Sequence, residues 1–335
     1  MLNRTMAPPV YELETIHLPT AETENLPGGS RVHYLPNSTQ AVLRFEMVFP
    51  AGKWYESKKG VSYFTSKLLM EGTRNRSAKQ VADLLDFYGA SLECNQGFDW
   101  STITLYCLSK HFPLILPLIQ EILTEPALPE RELDLLKIRT SQNLSVERLK
   151  PAFLASEKFS KNVFGPNHPY ATGLTDEEIF AVTREDIATF ISENYSVSEA
   201  EIIVSGDITA EHRSLISSAF QHAVPLNKIN EINYFPASGN LIDLIPMPGS
   251  MQAAVRMGGL FPLVSEPDYL KLTVVNKILG GYFGSRLMKN IREEKGYTYG
   301  VYSTMSVRKH GTLFYIGTEV KADTAPDTIT QIKHE

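Results

Sequence analysis

The chain has 335 residues, a net charge of −6 and no block of basic residues, so nucleic acid is not an expected partner, and the length suits two domains. No apolar run is long enough to span a bilayer and Met1–Pro9 lacks the apolar core of a signal peptide, so the expected location is cytoplasmic. The two cysteines, Cys94 and Cys107, form no Cys-x-x-Cys motif; the expectation is two buried thiols in a reducing compartment, with a bridge between neighbouring strands as the alternative.

In chain order, Glu22–Leu26 and Arg31–Leu35 read as short strands around Pro27-Gly28-Gly29. Ala41–Phe49 alternates apolar and polar residues and reads as a longer strand. Val61–Met70 reads as a helix bounded by Gly60 and Gly72. Ser77 and Gln80 form a capping box for a helix through Tyr88 that Gly89 ends. Ala90–Gln96 and Trp100–Leu108 read as a strand pair, followed by helices at Pro113–Leu123, Glu130–Val146 and Pro151–Val163. After the loop Gly165–Tyr170 come two helices, the strand Glu201–Val204 and a helix from Ala210 to about Ala223. Residues 224–239 lack periodicity and read as a linker.

The pattern then recurs. Leu241–Ile245 and Met251–Gly258 read as strands, Pro267–Leu279 as a helix, and Tyr297–Ser306 and Thr312–Val320 as a strand pair across the turn Lys309-His310-Gly311. A last helix begins near Ala325. Phe261, Gly281, Ser285 and Gly296 echo Phe49, Gly72, Ser77 and Gly89 at offsets of 212, 209, 208 and 207 residues, which indicates an internal duplication. The expected fold is α+β, with two duplicated domains that face each other, each an antiparallel-rich sheet with helices on one face. The expected bounds are 1–225 for the first domain, 226–239 for the linker and 240–335 for the second. The second copy stops where the first has reached about residue 123, so the expectation is a chain cut inside a longer second domain.

The stretch Leu279–Gly300 carries the most specific local pattern. A glycine-rich turn leads to Ser285, a suitable helix N-cap. Gly296 suits the helix end. That places Arg292 in the last helical turn and Tyr299 on the following strand, where a guanidinium and a phenol can grip a carbonyl oxygen or oxyanion. A surface charge and a half-buried strand residue is the plainer alternative. Gly280, Gly281 and Gly284 lack the Gly-Lys-Ser/Thr ending of a phosphate loop. Together with Ser285 they suit close packing of backbone, against the chain itself or against an extended peptide substrate. Ala41–Phe49 and Met251–Gly258 are candidate edges for peptide addition.

The helix from Val61 places Tyr63, Ser66 and Lys67 at i, i+3 and i+4, on one face. Tyrosine, serine and lysine are poor zinc ligands, so no metal site is expected there. A Ser66–Lys67 dyad is not expected either, since adjacent helical positions point about 100° apart. The eight histidines His17, His33, His111, His168, His212, His222, His310 and His334 include no His-x-His or His-x-x-x-His spacing.

Taken together, Gly281-x-x-Gly284-Ser285-Arg286-Leu287 with Arg292, Gly296 and Tyr299 resembles the insulinase/pitrilysin-like zinc peptidases, in the class of mitochondrial processing peptidase and its bacterial relatives. The resemblance covers essentially the whole chain. It implies that Arg292 and Tyr299 reach across a clamshell to bind a substrate carbonyl near zinc. The chain departs from the family where a His-x-x-Glu-His motif is expected: Tyr63, Ser66 and Lys67 stand there, with Gly60, Gly72 and Thr73 kept. The family's third ligand, a glutamate on a later helix, is expected within Thr140–Leu144, which contains no acid. The resemblance therefore implies a zinc-less, non-catalytic subunit of a heterodimeric metallopeptidase. Its partner would be a homologous subunit bearing zinc and His-x-x-Glu-His, and this chain would contribute Arg292 and Tyr299. The alternative is a proteolytically inactive structural or peptide-binding homologue, like the core subunits of the respiratory cytochrome complex.

Overall fold

Leu43, Phe45, Met47 and Phe49 are buried and alternate with partly exposed Arg44, Glu46 and Val48, which gives Val42–Phe49 the period-two pattern of a strand with one core face. In the computed structural model, which describes residues 7, 9–12, 15, 18–221 and 242–335, this strand lies inside a six-stranded sheet. Its members are β1 (Glu22–Asn25), β2 (Arg31–Pro36), β3 (Val42–Phe49), β4 (Ser91–Gln96), β5 (Ser101–Leu108) and β6 (Glu201–Gly206), in the order β1-β2-β6-β3-β5-β4. All neighbours are antiparallel except β2 and β6.

The helices are α1 (Val61–Leu68), α2 (Ala78–Tyr88), α3 (Phe112–Thr124), α4 (Glu130–Glu147), α5 (Pro151–Phe164), α6 (Asp176–Ala181), α7 (Arg184–Asn194) and α8 (Ala210–Phe220). The capping box expected at Ser77 and Gln80 is formed, and Gly89 closes α2 at φ 60°. One core gathers the inner face of the sheet, Val61, Phe64 and Leu68 of α1, Ile115 and Ile119 of α3, Ile187 of α7 and Ile216 of α8. Cys94 and Cys107 are buried free thiols within it, both pushed up to about 12 by burial.

A second, three-stranded sheet follows: β7 (Gln252–Phe261), β8 (Val301–Ser306) and β9 (Thr312–Lys321), in the order β7-β9-β8. This repeats the order β3-β5-β4 of the first sheet, and α9 (Tyr269–Gly280) follows β7 as α1 follows β3. A π-helix (Met288–Glu294) and α10 (Ala325–His334) complete the second half, whose own core joins Val255, Leu287, Ile291, Val301, Ile316 and Ile332. The fold is thus α+β.

Two expectations are corrected here. Residues 242–245, expected within a strand, carry no strand. Ile242 and Leu244 are exposed, and Asp243 is drawn to α5 instead, where its carboxylate pairs with Lys158 at 2.9 Å. The strand expected from Tyr297 begins only at Val301. The expected linker 226–239, the domain bounds beside it, the end of the helix at Ala223, and His17 and His222 lie outside the described residues.

The turn between β8 and β9 inserts into the first half. Arg308 lies over the Phe98 ring, 3.6 Å from its centre, and donates from Nη1 to the Tyr170 carbonyl at 3.0 Å. The Tyr170 hydroxyl donates to Asp99, whose other oxygen accepts the Lys309 N–H at 2.9 Å. His310 stacks on Trp54 with ring centres 4.1 Å apart. The loop Gly165–Tyr170 is therefore the socket for the second sheet. Alongside it, Arg256 of β7 donates to Ser156 of α5 at 3.0 Å, and Phe159 of α5 packs on Tyr315 of β9.

Candidate functional site

Helix α1 starts from Gly60, whose φ of 91° suits glycine. The Gly60 and Ser62 N–H groups both donate to the Glu56 carboxylate at 3.1 Å, satisfying amides that a helix start leaves unpaired. Burial nevertheless pushes the Glu56 carboxyl above its ordinary value. Downstream, Gly72 takes φ 106°, and a Cβ there would meet the Arg76 carbonyl at 2.6 Å. Thr73 Oγ1 accepts the Arg76 N–H at 3.1 Å and donates to Glu121 at 3.1 Å. The kept Gly72-Thr73 pair thus shapes the turn from α1 to α2.

On α1 itself, Tyr63, Ser66 and Lys67 do not converge on one point. Ser66 is 1% exposed, and its hydroxyl donates to the Tyr63 carbonyl at 2.9 Å. The Tyr63 ring is half-buried and set edge-on to Phe64, while Lys67 is exposed. In the expected third-ligand stretch, the Thr140 hydroxyl donates to the Leu136 carbonyl at 2.7 Å and the Ser141 hydroxyl to Asp176 at 2.7 Å. This donor set does not suit zinc, since it offers an ammonium and hydroxyls, those of Ser66, Thr140 and Ser141 already hydrogen-bonded, and neither imidazole nor carboxylate. Among the described residues, no group of three or more His, Cys, Asp or Glu is placed to hold a metal ion.

Ser66 and Lys67 instead line a cleft of about 360 Å³ between α1, α4 and β4. Glu71, at the end of the α1 turn, joins them, as do Glu132, Leu136 and Arg139 of α4 and Glu93 of β4. Burial raises the Glu71 carboxyl above its usual value; neighbouring Glu132 adds to this and Arg139 opposes it. Sequence reasoning missed these charged residues. The signal was present on α4, where positions 132, 136 and 139 follow the i, i+4, i+7 row of one helix face.

The second candidate region lies after α9. The expected α-helix from Ser285 to Gly296 is a short α-turn at 286–287 running into the π-helix. Ser285 does not cap the helix through its side chain, although its carbonyl accepts the Lys289 N–H at 3.0 Å, as an N-cap carbonyl does, and its own N–H donates to the Tyr282 carbonyl at 3.1 Å. Its hydroxyl is buried without a hydrogen-bond partner among the described residues. Gly296 ends the helix at φ 65° as expected.

Arg292 falls in the last turn of the π-helix, its guanidinium 4.4 Å from the centre of the Phe283 ring. Its Nη1 is buried with no hydrogen-bond partner among the described residues. Tyr299 is not on the strand but two residues before it, and is 97% exposed. Thr298 explains the displacement: its hydroxyl donates to the Glu319 carbonyl at 2.7 Å and accepts the Gly300 N–H at 3.1 Å. Such local side-chain bonds replace the ladder. Among the described residues, the Arg292 Nη1 and the exposed Tyr299 hydroxyl thus have no hydrogen-bond partner. Phe283, which the sequence did not single out, is the partner of Arg292.

The glycines before them pack against the chain itself. A Cβ on Gly280 would meet the Ser303 backbone nitrogen of β8 at 2.6 Å, and one on Gly281 would meet the Lys277 Cα at 2.8 Å. At Gly284 it would approach the Tyr282 ring at 3.0 Å. Of the two candidate edges, Ala41–Phe49 is closed, because β3 lies between β6 and β5. β7, which holds Met251–Gly258 from Gln252 onward, is an outer strand of its sheet, and β4, beside the cleft, is an outer strand of the other.

Comparison with known proteins adds a family context. The profile described as insulinase, peptidase family M16, matches residues 31–166, and the profile described as peptidase M16 inactive domain matches residues 181–335. The chain is similar to the non-peptidase homolog YmxG of Helicobacter pylori, 25% identical over 274 residues, covering 80% of this chain and 63% of that one. It is also similar to mouse cytochrome b-c1 complex subunit 1, 23% identical over 79% of this chain and 56% of that one. The chain therefore spans less than two thirds of the length of these relatives. The crystal structure of a peptidase M16 inactive domain from Pseudomonas fluorescens superimposes with a TM-score of 0.85 at 25% identity, covering 94% of this chain and 78% of that one.

Proposed function

Because the chain belongs to the insulinase family, peptidase family M16, and is similar to a relative described as a non-peptidase homolog, we propose that it is the zinc-less subunit of a two-subunit metallopeptidase. Its partner is a homologous chain carrying zinc and His-x-x-Glu-His. Arg292 and Tyr299 act as hydrogen-bond donors to the carbonyl oxygen of a bound peptide and to the oxyanion that develops from it. The observation that carries this reading is the Arg292 Nη1, held beside Phe283 with no hydrogen-bond partner among the described residues. Preorganised donors of this kind act without rearrangement during reaction. The Met251–Gly258 segment in β7, and β4, offer edges to which an extended peptide adds by backbone hydrogen bonds.

The two domains of the proposed subunit are 1–225 and 240–335, joined by 226–239. The test is reconstitution. The chain is mixed with a zinc-bearing homologue and cleavage of an unfolded substrate is followed. Activity appearing only in the mixture, and falling with Arg292→Ala, supports the reading; full activity with both Arg292→Ala and Tyr299→Phe removes it.

A second reading is favoured by the likeness to the cytochrome b-c1 subunit: a structural or peptide-binding homologue without proteolytic role. It predicts association with a partner without any gain of cleavage.

A further inference from the structure

His33, on the outer face of the first sheet, is held from two sides. Val32 and Tyr34 of β2 and Ile202 and Val204 of β6 are turned into the core. Arg31, His33 and Glu201 therefore lie on the opposite face, since successive strand residues alternate. Thr23 of β1, an outer strand of the sheet, stands directly opposite His33 in the register. The His33 ring meets the Glu201 carboxylate through Nε2 at 2.8 Å and the Thr23 hydroxyl through Nδ1 at 2.9 Å. Arg31 donates from Nε to the other oxygen of Glu201 at 2.9 Å.

These bonds fix the direction of each proton. Although partial burial opposes it, Arg31 and His33 hold the Glu201 carboxyl below its ordinary value, so at neutral pH it is ionised and can only accept. The proton of the neutral imidazole is then on Nε2, its lone pair is on Nδ1, and Thr23 is the donor. A hydroxyl bonded to an imidazole that a carboxylate orients is the arrangement that activates an alcohol as a nucleophile. Thr39 gives the contrast within the same chain. It is also exposed, but its hydroxyl donates to the Asn37 side-chain carbonyl, an amide oxygen that is no base at neutral pH.

We propose that Thr23 is a self-acylation site, with His33 as its base and Glu201 as the positioning residue, and that it takes the acyl group of small esters with a good leaving group. Thr23 Oγ1 bonds to the acyl carbon as its proton passes to His33 Nδ1. The bond from that carbon to the leaving oxygen breaks, and the imidazolium returns the proton to the departing oxyanion. The products are an ester on Thr23 and the free alcohol. Thr23 is exposed on an outer strand, so the donor is selected by its leaving group and not by a pocket. The site goes beyond the role assigned to Arg292 and Tyr299 and does not depend on it.

Incubation of the 335-residue chain with p-nitrophenyl acetate at neutral pH, with the acetyl groups located by peptide mass spectrometry, tests the proposal. General-base assistance contributes about 10²–10⁴, so Thr23 is expected to be acetylated at least about 10²-fold faster than Thr39. His33→Gln should remove that advantage. Glu201→Gln should lower it about tenfold, the size of a lost charge-assisted hydrogen bond. Nitrogen NMR should show the His33 proton on Nε2 in the unaltered chain and a mixture of tautomers in Glu201→Gln, a change that a merely structural Glu201 would not produce. Equal acetylation of Thr23 and Thr39 in the unaltered chain, or an advantage that survives His33→Gln, overturns the proposal.

Discussion

The Arg308 guanidinium carbon stands 3.6 Å from the centre of the Phe98 ring, and the two residues come from opposite sides of the junction between the sheets. Burial lowers the Arg308 guanidinium to about 10, so the cation is held there by its surroundings and not by solvent. Its support comes from the ring faces of Phe98, Tyr170 and Phe164 and from the Tyr170 carbonyl. Arg308→Ala should therefore lower unfolding stability by about 2–3 kcal/mol, the scale of a desolvated cation–π contact plus a charged hydrogen bond. Arg308→Lys should recover only part, because an ammonium lacks the planar face. Urea unfolding at neutral pH measures both; an unchanged midpoint in Arg308→Ala would show that the junction does not depend on this side chain.

The same junction should respond to acid. His168 is lowered by burial, then by Arg308 and His310, and His310 by burial, then by Lys309, with Asp99 opposing. The His168 ring also accepts the Tyr170 N–H at Nδ1, 3.0 Å away, a bond that protonation of Nδ1 removes. With folded values below the unfolded 6.5, the unfolded chain binds more protons. The contribution of these histidines is then complete above about 6.5 and is lost as pH falls through the folded values. Thermal unfolding should show a midpoint that drops below pH 6.5, with a shallower drop in His310→Asn. An identical profile in the variant would count against the histidines as the cause.

Gly280 offers a cleaner test of packing. A methyl group there would have to displace the Ser303 backbone nitrogen and hydroxyl, both at 2.6 Å. Gly280→Ala should cost about 1–3 kcal/mol, as overpacking does. Calorimetry reads this directly. A stable Gly280→Ala chain that loses only peptide affinity would shift the glycine from packing to binding.

Tyr299 should behave oppositely. At 97% exposure, Tyr299→Phe should change stability by no more than about 0.5 kcal/mol. In the reconstituted peptidase, the same change or Arg292→Ala is expected to lower turnover by about 10²–10³. Parallel melts and cleavage rates separate the two effects. A destabilised Tyr299→Phe chain would mean that the phenol has a structural contact.

Much of this was legible in the chain. The alternation in Val42–Phe49, the Ser77–Gln80 box and Gly296 are local signals, and each took the form expected of it. So did the duplication, visible as the strand order β3-β5-β4 repeated by β7-β9-β8. The failures came where a local signal competed with contacts distant in sequence. Ser285 has the chemistry of an N-cap, but its buried hydroxyl finds no amide among the described residues. Residues 242–245 have strand composition, but Asp243 is held by Lys158.

The sequence by itself determined which side chains the exposed and buried faces of α1 carry. Tyr63, Ser66 and Lys67 on one helix turn cannot be made into zinc ligands by any fold, because ligand chemistry belongs to side-chain identity. Only the tertiary structure decided what those positions became. Bringing α4 and β4 against α1 placed Glu71, Glu132 and Arg139 around Lys67, residues up to 72 positions apart, between Lys67 and Arg139. It also decided that Arg292 rests on Phe283 with one nitrogen uncommitted. Charge and hydrogen-bond vacancy depend on neighbours across space, and no spacing along the chain reports them.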